Sequence, residues 1–292
     1  MLHPLDDLID APPDGRQARD FLVTKEHRRF IEFADACRRE RYIGVCYGPP
    51  GVGKTLSARR YSHWDTIAPW LRVCYAYGVP DPFEDDPEPR PGPDVLAEAR
   101  SVLWTPTVTV TARQLEQRVP LLCQRFNAIV DHHLEPGSQH VVFADAAWHV
   151  ELLIVDEADR LKTTALEQLR DIFDRSSFGL ILIGMPGLEK RLARYPQLYS
   201  RIGFAHNYRP LSSDELRFVL AHHWQRLGLT LSAEDFTDTE AVAAVARITG
   251  GNFRLVHRLF AQIQRILEIN QLTTVTREVV EAARETLVIG AT

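Results

Sequence analysis

The sequence predicts an α/β fold, a three-layer core built on a parallel sheet and followed by a small all-helical domain. Up to about residue 207, short runs that are apolar on both faces alternate with segments of helical periodicity, the pattern of a parallel sheet covered by helices on both sides. Past Tyr208 the strand signals stop and only helical patterns follow. A glycine-rich loop sits directly between the first strand and the helix after it, which fixes the direction of the first strand-loop-helix unit.

Each element has its own signal. After a polar start, Thr24 precedes KEHRRFIEFADACRRE, whose apolar Phe30, Ile31, Ala34 and Cys37 recur at helical spacing under a basic outer face. Residues 42–47 (YIGVCY) read as a strand ending in a glycine-proline turn, and TLSARRYSHW continues as a helix. Residues 105–111 (TPTVTVT) read as the second strand, with a helix over 113–133 behind it. Residues 151–155 form the most apolar strand, a helix covers 164–174, and FGLILIG at 178–184 is a further buried strand. In the C-terminal part Ser212 and Glu215 form a capping box, and helical patterns follow at 239–248, 253–269 and 277–287.

Bulk properties narrow the class. At 292 residues, with 45% hydrophobic and 25% charged residues, the chain suits a large α/β domain plus a smaller helical one. No run approaches the roughly 20 apolar residues that cross a bilayer, and MLHPLDDLID has neither the basic nor the apolar region of a signal peptide, so a cytoplasmic protein without membrane contact is expected. Cys37, Cys46, Cys74 and Cys123 make no CxxC pair and read as free thiols. The doublets His132–His133 and His222–His223 lack partners at metal-ligand spacing. The net charge is −5, from 34 basic and 39 acidic residues, but residues 79–99 alone hold seven acids and one arginine. With six prolines that segment reads as an acidic, irregular loop, and the rest of the chain is close to neutral with room for basic surfaces.

Three separated motifs carry chemistry. Gly48, Pro49, Pro50, Gly51, Val52, Gly53, Lys54 and Thr55 make a complete GxxxxGK[ST] loop, followed by Leu56 at the start of the helix. Its glycines let backbone N–H groups turn inward around phosphates, Lys54 brings a cation to the β- and γ-phosphates, and the Thr55 hydroxyl suits magnesium. At the end of LLIV, Asp156 and Glu157 stand where an open α/β sheet binds ligands, past the carboxyl ends of its strands. Asp156 is expected to hold the Mg2+ of an ATP complex, and Glu157 to polarise the attacking water. That second carboxylate favours hydrolysis over phosphoryl transfer to another substrate.

In this order of motifs the chain resembles the AAA+ ATPases, P-loop NTPases with a parallel-sheet core and a helical lid. The resemblance implies an N-terminal extension over 1–22, a nucleotide-binding core over 23–207 and a lid over 208–292. It also makes Arg201, in QLYSRIGF, an arginine finger for a neighbouring subunit's ATP, and Arg254, in GNFR, a sensor reaching the γ-phosphate. Val23 and Thr24 match the place where the family flanks the adenine. The sequence departs at the end of LILIGMPGL, where the family usually carries Asn, Thr or Ser and this chain has Gly184-Met185-Pro186.

The TKEHRRF helix, the LLIVDEADRLK run, IGMPGLEKRLARYPQLYSRI and GGNFRLVHRL resemble more narrowly the ATP-dependent target-selection regulators of DNA transposons, the TniB, TnsC and phage Mu B proteins. That implies homo-oligomers, filament or ring, on duplex DNA, with a transposase and other transposition proteins as partners. Arg113, Arg118 and Arg125, in one helix opposed only by Glu116, are expected to line the DNA backbone, with Lys190, Arg191, Arg194, Arg258 and Arg265 as further basic clusters. A replication initiator or helicase loader shares such a core, and a nucleotide-gated scaffold with little hydrolysis is the non-enzymatic alternative.

Overall fold

The computed structural model describes residues 21–73, 91–134 and 149–287. Cys74 and residues 79–90 of the acidic segment lie outside them. The described chain forms two compact units, one containing Arg29–Gly48 and Lys54–Asn207, the other Leu22–Arg28, Pro49–Gly53 and the chain from Tyr208 onward.

The first unit holds a five-stranded, wholly parallel sheet. Its strands are β1 (Ile43–Tyr47), β2 (Ser101–Trp104), β3 (Leu152–Val155), β4 (Gly179–Gly184) and β5 (Ile202–Asn207), in the order β2-β3-β4-β1-β5. β2, β3 and β4 are buried along their whole length, as continuous apolar strands of a covered parallel sheet must be. The helices are α1 (Lys25–Glu40), whose first turn up to Arg28 belongs to the second unit, α2 (Lys54–Tyr61), α3 (Trp64–Val73), α4 (Pro93–Ala99), α5 (Ala112–Leu134), α6 (Thr163–Arg175), α7 (Leu188–Leu192) and α8 (Pro196–Tyr199). Packing is led by Phe30, Trp64, Trp104 and Phe126, all fully buried.

Three sequence expectations are corrected. Residues 105–111 are not a strand: the second strand is Ser101–Trp104, just before them. Pro106 has no N–H for a ladder, Val108 is 70% exposed, and Thr111 exchanges hydrogen bonds with Gln114, 2.9 Å from Thr111 N to Gln114 Oε1, to cap α5 instead. The segment 79–99 is not irregular throughout, because Pro93–Ala99 is α4. Proline there takes the first helical turn, where its missing N–H costs nothing. Finally, the sheet has a fifth strand, β5, that the apolar pattern does not announce; its alternation of half-buried and exposed residues marks an edge strand, and its polar Asn207 and His206 dilute the apolar signal.

In the second unit α9 (Ser213–Arg226), α10 (Phe236–Thr249), α11 (Phe253–Asn270) and α12 (Arg277–Glu285) enclose Leu216, Val219, Trp224, Val245, Phe260 and Ile263. Trp224 lies 5.2 Å from the Phe260 ring and donates its indole N–H to Asp238 at 3.1 Å. Emptying such a site, as in Phe260→Ala, costs about 3–5 kcal/mol. Each of these four helices starts on a capping side chain, from Ser212, Asp235, Asn252 and Thr276 in turn. Glu215 does more than close the capping box on Ser212: its Oε1 also accepts the backbone N–H of Lys25 at 2.8 Å and of Glu26 at 3.4 Å, two donors that the first turn of α1 leaves free.

Candidate nucleotide site

The site grows from the carboxyl edge of the sheet. β1 ends at Tyr47, in register with Gly184 of β4, and Gly48 N–H donates to Gly184 O at 3.4 Å. The chain then turns through Gly51 at φ 78° and Gly53 at φ 113°, conformations open to glycine at little steric cost. A Cβ on Gly51 would lie 2.6 Å from the Asn252 side chain and 2.9 Å from Cβ of Arg254, so the loop needs glycine for space as well. Asn252 Nδ2 donates to Pro50 O at 2.8 Å, and Arg254 N–H donates to Gly51 O at 2.9 Å. The start of α11 is thus hydrogen-bonded to the glycine loop.

Lys54 opens α2 and is buried, its Nζ donating to Gly48 O at 2.6 Å across the loop. Beside it, Thr55 Oγ1 donates to Asp156 Oδ2 at 2.6 Å. Asp156 is 3% exposed, and burial pushes its carboxyl up, against the opposing hydrogen bonds from Thr55 and the Glu157 N–H and the charge of Lys54. A buried carboxylate and a hydroxyl in contact are hard oxygen donors, and a divalent cation held by them would offset the burial of the charge. The donor set therefore fits magnesium.

Glu157 follows at φ 49° and ψ 42°, a left-handed conformation that a non-glycine residue holds only where its surroundings fix it. Its N–H donates to Asp156 Oδ1 at 2.8 Å and its carboxylate pairs with Arg160, which also donates to Pro106 O at 3.0 Å. Asp159, in the same turn, accepts the Met185 N–H at 2.7 Å.

Residues 37–192 match the family model described as an AAA domain, over half of the chain. The chain belongs to the AAA family. A "Potential ATP-binding protein" of Staphylococcus aureus is 46% identical to it over 277 residues, covering 93% of this chain and 98% of that protein. The "Mu-like prophage FluMu DNA transposition protein B" of Haemophilus influenzae is 32% identical over 255 residues, 84% of this chain and 73% of that one. Among solved structures, the Thermotoga maritima RuvB Holliday junction branch migration motor superposes with a TM-score of 0.52 at 16% identity, covering 92% of this chain and 71% of that one, a likeness of fold.

Gly48, Lys54, Thr55, Asp156 and Glu157 stand in one unit, and the loop residues Pro49–Gly53 with Arg254 in the other. Leu56 is half-buried on α2. Val23 is 48% exposed, while Thr24 is buried and caps α1, its Oγ1 accepting the His27 N–H at 3.2 Å. Arg201 lies just before β5, in a fork with Asp174 of α6, Nη2 to Oδ2 2.6 Å.

The basic residues of α5 do not form the expected row. At about 100° per residue, Arg113 stands about 140° from Arg118, and Arg118 only about 20° from Arg125. Arg125 is on the inner face, 4% exposed, and donates to Leu71 O at 2.8 Å, so it cannot meet a DNA backbone. Arg118 is half-buried and Arg113 exposed. Arg191 is also engaged, on the carbonyls of Asp159 and Leu161. By contrast Arg254, Arg258 and Arg265 are exposed on α11 within about 40° of one another, opposite its buried Val256, Leu259 and Ile263. Among the described residues no helix is long and apolar enough to cross a membrane, and no group of three or more His, Cys, Asp or Glu could hold a metal ion. Burial pushes the Cys37 and Cys123 thiols up to about 12, as expected of inert core cysteines.

Proposed function

We propose that this AAA+ protein is an ATPase that oligomerises on duplex DNA in the presence of ATP and regulates DNA transposition by selecting targets and recruiting a transposase. The observation that carries the reading is the 32% identity, over 84% of the chain, to a protein named for DNA transposition. The site supplies the chemistry. The glycine loop and Lys54 bind the phosphates of ATP. Thr55 and Asp156 would hold magnesium, which supplies positive charge beside the β- and γ-phosphates.

Glu157 takes a proton from water as the water oxygen bonds to the γ-phosphorus, and the bond to the bridging oxygen breaks with its electron pair leaving on ADP. Arg254, set on the loop by its own backbone, contacts the γ-phosphate, and Arg201 acts on the ATP of a neighbouring copy. Val23 and Thr24 flank the adenine. Because no base-reading module is evident among the described residues, DNA contacts go to phosphates.

ATP turnover measured with and without duplex DNA of arbitrary sequence, alongside light scattering, tests the reading. DNA-stimulated turnover with ATP-dependent growth on DNA is the expected result. Neither turnover nor DNA binding at low salt with ATP and magnesium would leave a nucleotide-gated scaffold acting on a protein partner.

A further inference from the structure

The carboxyl end of β4 lies between the strand that leads into the phosphate loop and the strand that ends in Asp156 and Glu157. Its last residue, Gly184, offers no side chain there. The reason is space, not backbone conformation: Gly184 has no positive φ, yet a Cβ on it would lie 2.5 Å from Asp159 Oδ2 and 2.7 Å from a methyl of Leu188. The carboxylate of Asp159 occupies the volume that a side chain on residue 184 would fill.

One bond holds that carboxylate and a second holds the backbone of its turn. Oδ2 accepts the Met185 N–H at 2.7 Å, which ties the turn after β3 to the turn after β4. The backbone carbonyl of Asp159 accepts from the Arg191 guanidinium at 2.9 Å, anchoring the turn to α7. Asp159 is exposed, and Oδ1 forms no hydrogen bond with any described residue. One oxygen is thus committed to the fold and the other is available at the edge of the sheet where Glu157 stands. An ionised carboxylate only accepts hydrogen bonds, so it can hold the O–H of a water but not a phosphate oxygen.

We propose that Asp159 orients the attacking water of ATP hydrolysis, accepting one of its hydrogens through Oδ1 while Glu157 removes the other. The proposal rests on the hydrolytic reading above. The step balances: one proton passes to Glu157, the water oxygen bonds to the γ-phosphorus, ADP leaves with the bridging oxygen, and the hydrogen facing Asp159 stays with the phosphate formed. Two acceptors on one water direct its lone pair, and that is worth rate because misplacing a reacting atom by about 1 Å can cost about a hundredfold.

Steady-state turnover of the full chain, ATP affinity measured with a fluorescent analogue and thermal melting test it together. Asp159→Asn keeps an oxygen for the Met185 N–H, so melting and ATP affinity should match the parent while kcat falls about tenfold to a hundredfold at unchanged KM. Gly184→Ala, which crowds Asp159 without altering it, should lower kcat as well but add little in an Asp159→Ala background, a coupling that a double-mutant cycle reads. Asp159→Asn turning over within about twofold of the parent overturns the proposal and leaves Asp159 a bracket between two turns. Full additivity of Gly184→Ala and Asp159→Ala also overturns it. A parent that binds ATP but never turns it over refutes hydrolysis itself, and this role falls with it.

Discussion

The Arg201 guanidinium meets the Asp174 carboxylate fork to fork, with Nη2 2.6 Å from Oδ2 and Nε on Oδ1, and Nη1 turned to Gln197 O. The hydrogen bond from Arg201, more than the nearby charges of Arg201 and Arg170, holds the Asp174 carboxyl below its ordinary value. A depressed carboxylate contributes its stability above the unfolded value and loses it as pH falls through the folded one, so the fork is intact at neutral pH and its contribution fades only in acid. To act on another copy's ATP, Arg201 must exchange or share this partner.

A trans role gives a mixing experiment. Arg201→Ala should bind ATP normally yet lose hydrolysis by a factor of about a thousand or more. Mixed with Lys54→Ala, which binds no ATP but keeps its arginine, it should regain part of its turnover. No recovery in assemblies shown to contain both variants would make Arg201 a partner of Asp174 and nothing more.

For the nucleotide site itself, Lys54→Ala should abolish ATP binding. Glu157→Gln should leave binding intact and cut turnover by about two to four orders of magnitude, the usual contribution of a positioned base. Binding by fluorescence and turnover by phosphate release separate the two. Parental turnover in Glu157→Gln would move the base elsewhere in the turn.

Much of the fold and part of the candidate site are legible in the sequence because they rest on local signals. The glycine loop, the carboxylates after LLIV and the Ser212–Glu215 box are short strings whose spacing is their chemistry. What the sequence hides depends on distance along the chain. Asp159 stands in the DEAD string, but its meaning comes from Gly184, 25 residues on, whose missing side chain it replaces. Asp174 reads as an ordinary helix-surface acid until β5 brings Arg201 beside it. Arg125 misleads because a charge count ignores the helix angle, which turns it inward to Leu71 O. A strand over 105–111 fails since β-branched residues in TPTVTVT signal propensity only, while burial favours SVLW, which is buried along its whole length although it ends the sheet.

Glu215 makes a stability prediction. Burial pushes its carboxyl up, but hydrogen bonds from Ser212, Lys25 and Glu26 outweigh that and hold it below the ordinary value. Glu215→Ala leaves those N–H groups without their acceptor and should cost about 1–3 kcal/mol. The stabilisation is present above the unfolded carboxylate value and lost as pH falls through the folded one, so the gap in melting temperature between parent and Glu215→Gln should narrow in acid. A gap that is constant between neutral and acidic pH would mean that the charge contributes nothing.

The DNA reading is tested by salt. With ATP or a non-hydrolysable analogue, the protein should assemble on duplexes of any sequence, with log affinity falling by about 0.9 per log unit of salt for each phosphate neutralised. Arg125 is excluded from that role by burial, so Arg125→Ala should act on stability instead. Arg113→Ala removes the exposed arginine of α5, and the pair Arg258→Ala and Arg265→Ala removes two from the open face of α11, leaving Arg254 and the glycine loop untouched. Whichever face meets the backbone, its variant should weaken all sequences alike and flatten the salt slope by about one unit for each phosphate no longer neutralised, with ATP binding by the free protein unchanged. Weakening of some sequences only would indicate base readout. If both variants kept the parental slope, neither arginine face would carry the duplex, and the exposed Lys190 and Arg194 would be the surface left to meet it.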